Sequence, residues 1–546
     1  MKKCISFVAV IMTLVFSLTA CGQDTESNVV SQSTDSNVQP ISENTMPITD
    51  EKITLTAMIT RYPDMSLPFE ELPEVKAFEE ETNIHIEWIE IPAQSRLERI
   101  NLAFSGGELP DIFFGTQIPY DVILRNASEG SIIPLNDLIE NYAPNLKKRF
   151  EERPDLYENM LFPDGNIYGI PKVDEKPLQS NPDNLFINKK WLDQVGLPVP
   201  TTVEEFKEAL MAFKNSDLNG NGQNDEIPFS FVMGTNAAPA TGIHSLFGSF
   251  GVVDTPSAGT HLMVKNGELV YVPITEEYKE GLEYLHELYD EGLIDIEAFS
   301  QDSSQYRAKI SQNMVGAFMA WQADDMVNPD NLEDYVHVLP LKGTADEPLW
   351  YREPGVSGLN IAGSDTGIYF AITSKNQYPA ETMRWIDYLT TGDNNLRQYY
   401  GTEGEGWKRN EEGQWERLSD PSGAMTANQF SCLLTWGPWT PSMLTYDDII
   451  STQVLPAPAA KKNEREAEYA AYYPEEELPQ FKLNLEELEK ITRITVDLQT
   501  VVDNAEATFI TDGVSEDSWK SFVEQVEKVG LQQYMDVYNA AYARVK

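Results

Sequence analysis

Ile53-Thr54-Leu55-Thr56-Ala57-Met58-Ile59, Ile84-His85-Ile86-Glu87-Trp88-Ile89 and Asp111-Ile112-Phe113-Phe114 are three runs of one kind. Each concentrates β-branched, aliphatic or aromatic residues over a few positions, the first two with alternation, which is the pattern of a strand with at least one buried face. The stretches between them read as helices: Pro73 to Thr82, then Gln94 to Phe104, the latter leading into the turn Ser105-Gly106-Gly107-Glu108. Strands that alternate with helices predict an α/β unit with a largely parallel sheet.

The chain beyond this unit is richer in helix. Pro200-Thr201-Thr202 precedes Val203-Glu204-Glu205-Phe206, with Thr202 and Glu205 spaced as a capping box. Val203, Phe206, Leu210 and Phe213 mark one apolar face, and Tyr278, Leu282, Leu285 and Tyr289 mark another before Gly292. A strand is predicted over Val315 to Trp321. Two helices close the chain: Trp519, Phe522, Val523 and Val526 face one way up to Gly530, and Leu531, Tyr534, Met535, Tyr538, Ala541, Tyr542 and Val545 form the second stripe. No internal repeat is evident.

The amino terminus sets the compartment. Lys2 and Lys3 precede an apolar run from Ile5 to Phe16, too short and too early for an ordinary membrane span. It ends in Leu18-Thr19-Ala20-Cys21-Gly22, which looks like a bacterial lipobox; a plain signal peptide is the alternative. Residues 1–20 are then a lipoprotein signal peptide, and Cys21 takes a diacylglycerol and becomes the new amino terminus. The expected location is the extracellular face of the cell membrane, where more than one acyl chain anchors stably. Residues 21–50, dense in Ser, Thr, Asn and Gln, are a flexible tether. With Cys4 removed and Cys21 lipidated, only Cys432 remains, so no intramolecular disulfide is expected.

Cleavage leaves about 526 residues, enough for two or three domain-sized cores. Acidic residues outnumber basic ones 87 to 40, which argues against nucleic acid as a partner, because phosphate binding needs clustered Lys and Arg. It argues equally against lying directly on anionic lipid. Solubility outside the cell explains the excess better than attraction for cations.

Several segments, in order and spacing, resemble the family 1 extracellular solute-binding lipoproteins of bacterial sugar ABC importers, including the alginate-oligosaccharide binders. They are Leu109-Pro110-Asp111-Ile112, Gly165-Asn166-Ile167-Tyr168-Gly169-Ile170-Pro171, Leu185-Phe186-Ile187-Asn188-Lys189-Lys190-Trp191-Leu192, the Asp217 to Pro228 loop, Tyr399-Tyr400-Gly401-Thr402-Glu403-Gly404, and the terminal Trp519 to Arg544. The resemblance implies an α/β, two-lobed, periplasmic-binding-protein-like clamshell with hinge crossings that closes over its ligand. It assigns residues 51–172 to the amino-terminal lobe, 173–355 to the carboxy-terminal lobe, 356–400 to a return to the first, and 401–546 to the second lobe with its closing helices. It also implies a carbohydrate ligand of the oligosaccharide kind, separate permease and ATPase chains, and a monomer.

Asp217-Leu218-Asn219-Gly220-Asn221-Gly222-Gln223-Asn224-Asp225-Glu226 carries the densest local chemistry. Oxygen-bearing side chains at positions 1, 3, 5 and 9, with glycine at 6, are the spacing by which one loop wraps Ca²⁺. The expected donors are Asp217, Asn219, Asn221, Gln223 through its carbonyl, Asp225 and Glu226. Position 12 is Pro228, so the loop is not a standard EF-hand; the alginate-binding relatives close a similar loop with the acid that Glu226 matches. The competing reading is a polar turn without metal.

Sugar sites pair flat aromatics with hydrogen-bonding edges. Trp321, Trp350, Tyr351, Trp407, Trp436 and Trp439 fall in Gly- and Pro-punctuated contexts, and Tyr62 follows the first strand where open α/β sheets place their clefts. Trp321 and Trp436 lead the expected ligand residues, followed by Trp350, Tyr351, Trp439 and Tyr62, each against the alternative of core packing. Arg352 reads as a salt-bridge residue or a carboxylate partner. An enzyme is the rival class. A glycosidase needs two opposed carboxylates, and acids are too abundant here to signal them. His85, His244, His261, His286 and His337 are scattered without a His-Glu-x-x-His motif, and neither a Gly-x-Ser-x-Gly elbow nor a phosphate loop is present. A surface adhesin or sensory co-receptor is the third class. The reading favoured is a binder, not an enzyme.

Overall fold

The structure is a computed structural model that describes residues 41–175, 184–233, 241–254, 260–350, 367–422, 424–425, 427–445, 447, 449–455 and 457–545. Its strands in chain order begin with β1 (Ile53–Arg61), β2 (Ile84–Pro92), β3 (Ile112–Ile118), β4 (Lys172–Asp174), β5 (Asn184–Asn188), β6 (Ile227–Ser230) and β7 (Leu262–Lys265). They continue with β8 (Glu268–Tyr271), β9 (Val315–Ala320), β10 (Tyr335–Val338), β11 (Ile368–Ile372), β12 (Trp407–Arg409), β13 (Trp415–Arg417) and β14 (Ser442–Leu444).

The first sheet has the order β11-β3-β1-β2. β1 lies parallel to β2, with Ile53 opposite Ile84, and parallel to β3, while β11 runs antiparallel to β3. The first lobe is thus the parallel α/β unit the sequence predicts, with one antiparallel edge. Pro73 opens the first helix at its first turn, and Asn83, in the left-handed region at φ 61°, ends it. Val75 and Phe78 on that helix bury against the sheet.

The second sheet, β10-β5-β9-β6, is mixed: only β6 and β9 are parallel. β5 and β9 are buried along their whole length, so both faces are covered, here by helices such as Val203–Lys214 and Ser303–Ser311. The expected capping box is half formed. Thr202 Oγ1 accepts from the Glu205 amide at 3.1 Å, but the Glu205 carboxylate turns to the Thr201 amide at 2.8 Å, where the Thr201 hydroxyl offers a second donor at 2.7 Å.

Two large apolar cores follow these sheets. The first core includes Cys432, Trp436 and Met443 besides the residues of β1–β3 and β11. The segment from Cys432 to Met443 therefore packs with the first sheet, because Trp436 fills the space between Phe78, Trp88 and Phe114. A satellite cluster of Leu396, Tyr399, Trp407 and Trp415 holds the β12–β13 hairpin beside it. β4 and β14 pair in parallel, Ser442 opposite Lys172, bringing two of the connecting segments together.

The carboxy-terminal end holds a helix absent from the sequence reading, Leu485–Asp512, ahead of the two expected ones at Glu516–Val529 and Leu531–Val545. Its Asn484–Glu487 capping box is complete. Its buried face runs through Ile491, Leu498, Val502, Phe509 and Ile510, interrupted by Glu506. Near its start Leu488 touches both cores, and just before it the Leu483 carbonyl accepts from the Tyr120 hydroxyl of the first lobe at 3.0 Å. No helix among the described residues is long and apolar enough to cross a membrane.

Candidate functional site

The carboxyl ends of β1 and β3 and the start of β11 form one edge of the first sheet, the edge where open α/β sheets bind ligands. Tyr62 follows β1 and stacks on Trp439, with ring centroids 4.5 Å apart and planes 19° from parallel. The loop carrying Trp439 lies directly on β3. A Cβ on Gly115 would stand 2.8 Å from the Trp439 carbonyl oxygen, and Gly115 adopts φ +64°, so only glycine fits there.

A polar relay borders the stacked pair. Arg96 donates to Gln117 Oε1, and Gln117 Nε2 donates to the Tyr369 hydroxyl. Gln117 holds φ 49°, a left-handed backbone that non-glycine residues adopt at a cost, and such outliers gather at ligand sites. Burial pushes the Tyr62 hydroxyl pKa up, and the neighbouring Arg96 guanidinium offsets part of that rise. Burial likewise raises Tyr369, opposed by its bond to Gln117. The edge thus offers a flat aromatic surface beside a guanidinium, an amide and two phenols, the donor and acceptor set that suits a polyhydroxylated ring.

Trp321 follows β9 at the corresponding end of the second sheet and is half-buried. Its carbonyl accepts from Asn184 Nδ2 and Arg465 Nη2, both at 3.1 Å, so its backbone position is fixed from β5 and from the helix Ala457–Tyr469. Trp436 and Trp350 differ from expectation. Each is 1% exposed; Trp436 stacks on Phe78 and meets Phe114, and Trp350 packs on Tyr469. Their faces are covered by protein in this conformation, so they build cores. Trp407 is buried as well, its indole nitrogen donating to the Gly401 carbonyl at 2.9 Å. Tyr351, Arg352 and Cys21 lie outside the described residues.

Sequence reading missed Arg96, Gln117 and Tyr369. Arg96 looks like any surface residue of a helix and Tyr369 like strand core; only the sheet register puts Ile368 opposite Ile118 and brings them together.

The acidic loop closes on itself. Asp217 accepts from the amides of Gly220 at 3.0 Å and Gly222 at 2.9 Å, and Asn219 and Asn221 accept from amides two residues on. Both asparagine amides donate to Asp225 Oδ1. Glu226, 7% exposed, accepts from Leu218 and Asn219 through Oε1, while Oε2 is buried with no hydrogen-bond partner among the described residues. An orphaned carboxylate oxygen against an all-oxygen donor set fits a hard dication.

Two separately cored α/β lobes, with an aromatic and polar site at the ligand-binding edge of the first sheet, define the class of two-lobed solute-binding proteins. The chain belongs to the bacterial extracellular solute-binding protein family, whose model matches residues 69–395. It is 30% identical to the fructooligosaccharide ABC transporter substrate-binding protein FusA of Streptococcus pneumoniae, over 99% of this chain and 98% of that protein. The structure of FusA in complex with kestose superposes with a TM-score of 0.78 at 29% identity, covering 90% of this chain and 99% of that one, and an EF-hand mutant of FusA has also been solved. The polygalacturonan/rhamnogalacturonan-binding protein YtcQ of Bacillus subtilis is 23% identical over 86% of this chain and 88% of its own length. The alginate-binding protein AlgQ2 shares the fold, with a TM-score of 0.66 at 21% identity, covering 91% of this chain and 99% of that one.

Proposed function

We propose that this chain is the extracellular carbohydrate-capturing subunit of an ABC importer, with short fructooligosaccharides as its ligand class. The observation that carries the reading is the Tyr62–Trp439 stack bordered by Arg96, Gln117 and Tyr369. The similarity to FusA along nearly the whole of both chains supports it. The sugar sits between the lobes, against Tyr62 and Trp439 on one side and Trp321 on the other, and is handed unaltered to separate permease chains. Isothermal titration of the mature protein with kestose and nystose tests this directly. Saturable binding without release of monosaccharide is the expected result; cleavage of the sugar means an enzyme, and no binding overturns the carbohydrate reading. Polygalacturonate fragments run in parallel decide whether Arg96 serves neutral rings or a uronate carboxylate.

Three accompaniments belong to the same reading. Cys21 carries the lipid that tethers a monomer to the outer face of the membrane through residues 21–50. Asp217, Asn219, Asn221, Gln223, Asp225 and Glu226 hold a structural Ca²⁺, supported by the orphaned Glu226 Oε2. The chain passes from one lobe to the other between Val173 and Leu185, between Trp350 and Ile368, and between Met443 and Tyr469, a reading supported by which core each of these residues joins.

A further inference from the structure

We propose that His244, Asp254 and Glu506 form a second cation site, for a transition-metal dication of the Zn²⁺ type, that pins the long helix Leu485–Asp512 to the second lobe. His244 opens the 3₁₀ segment His244–Phe250, Asp254 lies just beyond that segment, and Glu506 comes from the helix more than two hundred residues later. Their ligand atoms lie within 4.8 Å of one another, with His244 Nε2 3.4 Å from Glu506 Oε1.

The placement of Glu506 is the anomaly to be explained. It occupies the helix's apolar stripe between Val502 and Phe509 and is 3% exposed, and Asp254 is fully buried. Burying carboxylates is costly unless positive charge accompanies them. The ion-pair partners of the two acids include imidazoles, His261 for Asp254 and His244 for Glu506. Asp503, half-buried on the same helix, adds a third carboxylate, and burial together with the Glu506 charge holds its pKa up.

A second observation points to the same spot. The Tyr271 hydroxyl is buried, on a residue 4% exposed, and has no hydrogen-bond partner among the described residues. Its ring stands 6.0 Å from that of His261, the imidazole that bonds Asp254. A dication with a bound water supplies the missing partner.

The surrounding groups hold the donors in place as outer partners of a metal do. Tyr278 donates to Glu506. His261 Nδ1 bonds Asp254 at 2.8 Å while its Nε2 faces Gln499 Oε1 at 2.9 Å, and Gln499 Nε2 donates to Asp503 at 2.7 Å. The Gln499 orientation makes His261 a donor on both sides, an imidazolium that offsets the Asp254 charge and has no lone pair left for an ion; the charge still to be balanced is that of Glu506, and His244 is the nitrogen ligand. One imidazole nitrogen with two carboxylate oxygens suits Zn²⁺ and its neighbours and not Ca²⁺, which takes oxygen alone. Donors around Zn²⁺ stand roughly 3.4 Å apart, so the three side chains draw in by about 1 Å on binding.

The experiment titrates the full mature chain with Zn²⁺, with Ca²⁺ present in excess so that the acidic loop is saturated, and repeats it with His244→Ala and Glu506→Gln. One Zn²⁺ per chain is expected in the unaltered protein, and each substitution should weaken it at least tenfold. Co²⁺ in place of Zn²⁺ should give a visible absorption band that His244→Ala abolishes, a readout independent of stability. Circular dichroism checks that both variants are folded; His244 is partly exposed, so its variant keeps the test alive if Glu506→Gln fails to fold. Equal Zn²⁺ affinity in the unaltered protein and a folded His244→Ala, or no Zn²⁺ binding at all, overturns the proposal.

Discussion

Two residues separate Trp436 from Trp439, and their surroundings give them opposite consequences on substitution. The Trp436 ring is packed among Phe78, Trp88 and Phe114, so Trp436→Ala should cost about 3–5 kcal/mol in urea unfolding. Trp439 is only partly buried and stacks on Tyr62. Trp439→Ala should cost much less stability and weaken kestose binding tenfold or more, about 1.4 kcal/mol; calorimetry on both variants separates the two roles. Both sit in the motif Trp436-Gly437-Pro438-Trp439, where composition marks a turn without telling which ring faces out. Asp387 shows the same dependence on neighbours. It is fully buried, accepting from the Leu146 amide and from Asn145 and Asn44, yet burial outweighs these bonds and pushes its pKa up to about 6. Between the unfolded value near 3.9 and 6, the folded chain keeps a proton that the unfolded chain has released. Its contribution is therefore complete below about pH 4 and lost as pH rises through 6, up to about 3 kcal/mol. Urea midpoints at pH 4 and 7 should show this loss in the unaltered protein and not in Asp387→Asn.

At the level of elements, the acidic loop joins the helix Val203–Lys214 to β6, and its backbone amides already turn on Asp217 and Glu226. A cation that binds only the folded loop stabilises by mass action, about 2.7 kcal/mol at a hundredfold excess over Kd. Chelation should then lower Tm by a few degrees, restored by Ca²⁺, and Glu226→Gln should abolish the difference. This element was legible because its oxygen-bearing side chains recur at a fixed sequence spacing. The helix Leu485–Asp512 was not, although it is the longest described: Glu506 breaks its apolar stripe, and its exposed face alternates charges and threonines that suggest no single period. The mixed order of the second sheet was equally hidden, since β5 and β9 are buried on both faces and carry no sign of direction.

For the whole molecule, two cores joined by crossing segments predict a hinge, and a sugar that touches both lobes favours closure by its additional contacts there. Small-angle scattering should therefore show a smaller radius of gyration with saturating kestose, and no change with a saccharide that calorimetry shows is not bound. The sequence by itself determined the α/β class, the first lobe's strand–helix alternation, the acidic loop and the family likeness, because each depends on residue types at short, fixed spacings along the chain. Only the tertiary structure decided that the segment from Cys432 to Met443 packs with the first sheet, that Arg96, Gln117 and Tyr369 meet beside Tyr62, and that Glu506 approaches His244 and Asp254. Those arrangements depend on which buried surfaces fill one another's gaps across hundreds of residues, and packing of that kind leaves no periodic trace in the sequence.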